Sequence, residues 1–251
     1  MTKPSADATL RIVVLGRQGS GKGTQAARLS SIYGPAHVST GDAFRAAAGS
    51  GSELGRTLKA YMDRGELVPD DVVVGVIKEH LFGPGAPPGF ILDGFPRNVG
   101  QAEALAQMAG GRGLDVVIDL EADTQEVLHR MAGRRVCTKC GATSNVVNNP
   151  TKRPGLCDAC GGQMAQRDDD TEDAIRRRLE IYETTTAPLI DWYRQRGLLA
   201  AVNAVGDLGS VTARVLAAVE AARQGKADGQ NKPAGHDQPV GPNGDTGTLG
   251  A

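Results

Sequence analysis

LRIVVLGRQGSGKGTQAARLSSIY, residues 10–33, changes character twice. Leu10 to Leu15 is a short apolar run rich in β-branched residues, the pattern of a strand buried on both faces. Glycines follow at Gly16, Gly19, Gly21 and Gly23, and from Lys22 onward the residues favour a helix. Within this stretch, GRQGSGKGT fits G-x-x-x-x-G-K-[ST] with its hydroxyl one place late. Gly16, Gly21 and Lys22 are in register, and Gly23 then precedes Thr24. The physics survives that shift: glycines let backbone N–H groups turn around phosphate oxygens, and a helix N-terminus adds partial positive charge. Lys22 supplies a mobile cation for β- and γ-phosphates. A plain glycine turn with a surface lysine has the same composition, but no reason to sit between a strand and a helix. Arg17 and Gln18, on the crown of the loop, are expected to be solvated.

Similar apolar runs recur at HVST (37–40), GFILDG (89–94), LDVVIDLE (114–121) and LLAAVN (198–203). Helical patterns lie between them at about 53–64, 70–82, 98–110 and 123–133. Strands alternating with helices predict an α/β fold with a P-loop core, a five-stranded parallel sheet flanked by helices. The rhythm fails between Arg134 and Arg167, where Gly, Asn, Pro, Thr and Cys dominate and little core can form. A long helix is expected over 171–194, with Ile175, Leu179 and Tyr182 as its apolar stripe and a bend or break near Pro188. The domain so defined spans 10–223. Residues 1–9 read as a flexible extension, and residues 224–251, rich in Gly, Pro, Asn and Asp without aromatics, as a disordered tail.

With 28 basic residues against 29 acidic ones, the chain has no global pull toward nucleic acid or membrane. No apolar run approaches the roughly 20 residues of a spanning helix. The opening MTKPSADA lacks an apolar signal core, so a cytoplasmic location is expected.

The four cysteines form two pairs, Cys137/Cys140 and Cys157/Cys160, spaced C-x2-C-x16-C-x2-C. That spacing suits tetrahedral zinc, and four thiolates leave no position for water, so such a site is structural. Free thiols or a redox pair are the alternative. A nucleic-acid-binding ribbon would interleave basic and aromatic residues, whereas 137–160 hold only Lys139, Lys152 and Arg153 and no aromatic.

Two further motifs carry chemistry. GFILDGFPRN (89–98) puts Asp93 at the C-terminal end of a strand, where a Mg2+-organising carboxylate belongs, although it also suits a turn cap. The Gly-Phe-Pro turn after it fixes the backbone ahead of Arg97, whose planar guanidinium suits phosphate. STGDAFR (39–45) offers Ser39 and Thr40 as N-caps of a helix beginning near Asp42, with Arg45 one turn in.

Taken together, GSGKGT, STGDAFR, LDGFPRN with Gln101 beyond it, and AGRRVCTKC…AQRDDD…IRRRLEIYE…TAPLIDWY resemble the adenylate kinases. They occur in that family's order and spacing over about residues 10–220. The resemblance implies phosphoryl transfer from Mg·ATP to AMP, giving two ADP, by a monomer with no nucleic-acid or membrane partner. It implies ATP on Gly19, Ser20, Gly21, Lys22, Gly23 and Thr24, with Arg130, Arg134, Thr143, Ser144 and Gly206. It implies AMP on Thr40, Arg45, Glu66, Leu67, Val68, Gly94, Phe95, Pro96, Arg97 and Gln101, with Arg167 and Arg178 reaching the phosphates from the other side. Gln101 would read the adenine edge.

The implied catalytic set is Lys22, Arg97, Arg134, Arg167 and Arg178, with Asp93 holding Mg2+ through water. An AMP-binding flap at about 39–68 and a lid at about 134–168 complete the expectation, the lid stapled by zinc on the four cysteines. Asp168 and Asp169 are expected to hold arginines or a hinge. The residues agree with this chemistry, because transfer between two anions needs positive charge around the moving group more than it needs a nucleophile. Lys22, Arg45, Arg97, Arg130, Arg134, Arg167 and Arg178 supply that charge from separate segments.

Three departures stand out: Arg17 and Gln18 in place of small residues or proline, Thr143-Ser144-Asn145 where an aromatic is common, and VNAVGDLG near the expected ATP base. A kinase for another nucleoside monophosphate and a nucleotide-responsive zinc module without turnover are the rival readings. The long lid, Thr40 and Gln101 argue against the first.

Overall fold

The computed structural model describes residues 9–230 apart from 50, 51, 65, 168 and 169. Strands β1 (Arg11–Leu15), β2 (Ala36–Ser39), β3 (Phe90–Asp93) and β4 (Val116–Glu121) pair in parallel with a last strand, β8 (Leu199–Asn203). The order across the sheet is β2-β3-β1-β4-β8. Side chains of β1 alternate between two cores. Val13 and Leu15 pack with Ile77, Leu105, Leu189 and Tyr193, while Ile12 and Val14 pack with Ala26, Leu29, Val211 and Val215. Burial on both faces explains why this strand reads as an unbroken apolar run. Helices α4 (Asp70–Phe82), α5 (Val99–Ala109) and α8 (Pro188–Arg194) cover the first face; α1 (Lys22–Tyr33) and α9 (Leu208–Gln230) cover the second.

Two short helices, α2 (Thr40–Ala48) and α3 (Glu53–Asp63), follow β2. Ser39 caps α2 by accepting from the Asp42 N–H at 3.2 Å, so the helix starts two residues earlier than the sequence suggested. Helix α6 (Thr124–Gly133) leads into a second, antiparallel sheet of order β6-β5-β7, built from Arg134–Cys137 (β5), Thr143–Asn145 (β6) and Met164–Ala165 (β7). The chain returns through α7 (Glu172–Ile181).

The single long helix expected over 171–194 is interrupted. Between α7 and α8 lies a π turn, Tyr182–Thr186, in which the Ala187 N–H donates to the Tyr182 carbonyl at 2.8 Å. Pro188 has no N–H to donate back into the helix, and the wider turn ahead of it absorbs the mismatch. At the other end of the domain, α9 continues past the boundary expected at 223 to Gln230. Its residues beyond Ala222 are mostly helix formers, and the two glycines among them, Gly225 and Gly229, do not stop it. The remaining terminal segments, 1–8 and 231–251, lie outside the described residues.

Parallel strands β1 and β3 are neighbours, with Val14 beside Asp93. The chain leaves β1 toward one edge of the sheet and later crosses to the other, so the crevice at their C-terminal ends is the topological switch point where ligands of open α/β sheets bind.

Candidate active site

Between β1 and α1 the chain turns through Gly16 and Gly19, both at positive φ. A Cβ on Gly16 would lie 2.7 Å from the Leu120 carbonyl oxygen, and one on Gly19 would lie 3.0 Å from Met131 Cγ. The loop is therefore seated against β4 and α6, with no room for side chains at these points. Lys22 folds back over it, its Nζ donating to the carbonyls of Gly16 (2.8 Å) and Arg17 (2.9 Å). Burial lowers its pKa to about 8; Asp93 resists the shift, while Arg97 and Arg134 add to it. Arg17 is not the solvated crown residue expected. Its Nε donates to Glu183 Oε1 at 2.7 Å and its Nη1 to the Ala122 carbonyl at 3.3 Å, tying the loop to the π turn. Gln18 is half-buried at the cavity wall.

One strand away, β3 ends at Asp93 and enters a turn containing a cis Phe95–Pro96 peptide. Gly94 has φ of 85°, and a Cβ there would fall 2.8 Å from Thr40 Oγ1, so glycine is what lets Thr40 approach. Arg97 Nε donates to the Gly94 carbonyl at 2.8 Å, and Thr186 Oγ1, from the π turn, donates to the Arg97 carbonyl at 2.8 Å. The Arg97 N–H meets Gln101 Oε1 at 2.7 Å, while Gln101 Nε2 donates to Asp70 Oδ1 at 2.6 Å. Phe95 is a correction to the expected AMP group: it has no exposed surface and belongs to the core under β3.

A cavity of about 820 Å3 joins the two loops. The phosphate loop contributes Gly19, Ser20, Gly21, Lys22, Gly23 and Thr24, and the segment after β3 contributes Asp93, Gly94, Pro96, Arg97 and Gln101. Thr40 and Arg45 of α2 and the segment Glu66, Leu67 and Val68 border it, as do Thr143 and Ser144 of β6 and Gly206 after β8. Arg130, Arg134, Arg167 and Arg178 complete the wall.

The arginines are held by partners that the sequence reading did not assign. Asp170, with its side chain wholly buried, takes Arg134 through two hydrogen bonds, one of them 2.8 Å from Nε. Asp42 accepts from Arg45 and lies 3.8 Å from Arg167. Arg130 reaches the carbonyls of Ser20 (3.2 Å) and Ala204 (2.8 Å) and pairs with Glu126 at 2.6 Å. Arg178 donates to the Met62 carbonyl at 3.3 Å. Asp168 and Asp169 lie outside the described residues. The neighbouring Asp170 has the arginine-holding contacts expected of them, and the run DDD was its only signal.

In the small sheet the four Sγ atoms lie within 4.8 Å of one another, with Cys137–Cys160 at 3.4 Å and Cys140–Cys157 at 3.6 Å. Tetrahedral Zn–S bonds of about 2.3 Å require S···S edges of about 3.8 Å, so the donor set fits such an ion. Both pairs use the same turn: Gly141 N–H donates to the Cys137 carbonyl, and Gly161 N–H to that of Cys157. The backbone N–H of Cys140, and then that of Lys139, pull the Cys137 thiol down to about 6, while at Cys140 a backbone N–H from Ala142 is outweighed by the three other sulfurs, which push that thiol up. Asn145, where an aromatic was the expectation, is a structural pin: Nδ2 donates to the Arg130 carbonyl at 2.8 Å, and Oδ1 accepts from Val147 and Asn148.

A phosphate loop at the switch point of a parallel sheet, with its lysine folded into the crevice, defines a P-loop α/β protein. A family model described as adenylate kinase matches residues 14–198. The chain is 50% identical over 219 residues to an adenylate kinase of Streptomyces griseus subsp. griseus, covering 86% of this chain and 100% of the relative. It is 49% identical over 213 residues to one from Thermodesulfovibrio yellowstonii (84% and 99%), and 46% identical over 213 residues to one from Archaeoglobus fulgidus (84% and 98%). The chain belongs to the adenylate kinase family. Among the described residues, no helix is long and apolar enough to cross a membrane.

Proposed function

We propose that this enzyme transfers the terminal phosphoryl group of Mg·ATP reversibly to AMP, giving two ADP. One observation carries the proposal: two phosphate-suited loops, Gly16–Thr24 after β1 and Gly94–Arg97 after β3, open from neighbouring strands into one cavity. The phosphate-loop N–H groups and Lys22 take the ATP phosphates, with Arg130 and Arg134 beside them. Arg45, Arg97, Arg167 and Arg178 take the AMP phosphate, and Gln101 meets its base. Thr40, Gly94, Pro96 and residues 66–68 shape the AMP side, while Thr143, Ser144 and Gly206 border ATP. Positive charge converging on the moving group lowers the barrier without a protein nucleophile, and the AMP phosphate is already ionised near neutral pH. Asp93 suits Mg2+, held through water, and the ion when bound neutralises charge on the phosphates. Cys137, Cys140, Cys157 and Cys160 hold a structural zinc, and the segment from about 134 to 168 closes as a lid that excludes water. The protein acts as a cytoplasmic monomer, with neither nucleic acid nor membrane as partner.

A coupled assay of ADP formed from ATP with AMP, UMP, CMP or GMP tests this reading. AMP is expected to be preferred. ATP binding without ADP formation would leave a binding module, and preference for another monophosphate would reassign the acceptor.

A further inference from the structure

A primary amide can present either of two faces to a purine. A 6-aminopurine offers a donor at N6 and an acceptor at N1, whereas a 6-oxopurine offers an acceptor at O6 and a donor at N1. An amide that flips freely serves both; an amide held in one orientation serves only one.

Gln101 is held. It is 2% exposed, and both ends of its amide are engaged. The Arg97 backbone N–H, 2.7 Å from one end, can be met only by oxygen. The carboxylate of Asp70, 2.6 Å from the other end, can be met only by the NH2 group. Each contact fixes the same flip, so reversing the amide would oppose two donors at one end and two acceptors at the other. Asp70 is itself steadied by Asn98, whose Nδ2 lies 3.1 and 2.9 Å from its two oxygens and whose Oδ1 accepts from the Gln101 N–H at 2.8 Å. With these bonds made, the amide keeps one N–H and one lone pair. Gln101 borders the cavity and Asp70 does not, so Asp70 acts through Gln101.

We propose that Asp70 is a positioning residue that sets base specificity: by fixing the flip of Gln101 it admits 6-aminopurine monophosphates and rejects 6-oxopurine ones. The proposal rests on the reading above that Gln101 meets the acceptor base. A 6-oxopurine in the same pose sets N1–H against the remaining N–H, and O6 against the remaining lone pair.

The test compares AMP with IMP, which differ at position 6 and its N1 proton but not at the 2-position. Steady-state kinetics with Mg·ATP are measured on the full chain, on Asp70→Ala, on Gln101→Ala and on the double variant, with thermal midpoints alongside. In Asp70→Ala the ratio of kcat/KM for AMP to that for IMP is expected to fall by roughly tenfold or more. The change should lie mainly in KM, with kcat for AMP within severalfold of the parent. In the Gln101→Ala background, removing Asp70 should leave the ratio unchanged. Should alanine lower the thermal midpoint, Asp70→Leu keeps comparable bulk while removing both acceptor oxygens, and the ratio should fall there too. An unchanged ratio in folded Asp70 variants, or an equal fall without Gln101, overturns the proposal. A parent enzyme that discriminates AMP from IMP but loses nothing on Asp70 substitution refutes only this inference. A parent that does not turn over AMP refutes the function on which it rests.

Discussion

Lys22 carries a charge that burial makes conditional. With its pKa lowered from 10.5 to about 8 in the folded chain, the unfolded chain binds more protons between those values, so stability rises with pH across that window. Phosphate oxygens favour the ammonium and restore its pKa. Nucleotide binding near pH 8.5 should therefore take up a proton, and affinity should fall as pH climbs above 8. Calorimetry in buffers of different ionisation enthalpy measures that uptake, and Lys22→Ala should abolish it while lowering kcat by roughly 10²–10³. Uptake that persists in the variant would refute this account of Lys22. At this scale the motif residues were legible because glycine, lysine and hydroxyl spacing encodes local geometry. Their partners were not: nothing near Arg17 in sequence points to Glu183, and nothing near Gln101 points to Asp70.

Among elements, the small sheet is where the proposed zinc would act as a staple. It contributes little to the main cores, and its two C-x-x-C turns bring four sulfurs together. Zinc–thiolate binding is worth on the order of 10 kcal/mol or more in small zinc peptides. Chelation should therefore lower the thermal midpoint first and activity second, as followed by scanning calorimetry and turnover on one preparation. Loss of chemistry at an unchanged midpoint would point to a catalytic metal. Gly162 belongs to the same device, since a Cβ there would lie 2.9 Å from Cys137 Sγ.

The main strands and most helices could be read from periodicity, because β1, β3 and β4 are buried on both faces and the partly buried edge strands β2 and β8 are still short apolar runs. Helix α9 was not assigned: Val211, Val215 and Val219 form its buried stripe among many small residues, and that pattern carries little amphipathic contrast. The π turn was visible only as Pro188.

At the scale of the whole molecule, the cavity's cations come from α1, α2, α6, β5, α7 and the turns beside them; Arg45 and Arg130 pair with acids on their own helices, while Arg134 and Arg167 meet acids from other segments. Asp170 is the deepest of these. Removing one partner of a buried pair leaves the other charge uncompensated, so Asp170→Asn should cost roughly 3 kcal/mol in urea unfolding. A change below about 0.5 kcal/mol would mean that Arg134 is held by other contacts. Such pairings join residues far apart in the chain, which is why the sequence could suggest a ring of arginines but not what orients them.

The π turn has one more consequence. Within five residues it holds Arg17 of the phosphate loop through Glu183, and the Arg97 carbonyl of the turn after β3 through Thr186. A π turn fits an extra residue into the space of an α turn, which shifts the angular offset between those two side chains away from that of a regular helix. The segment therefore works as a gauge block: it borders the cavity through Tyr182 and Thr186, and its width sets the spacing between the two loops it ties.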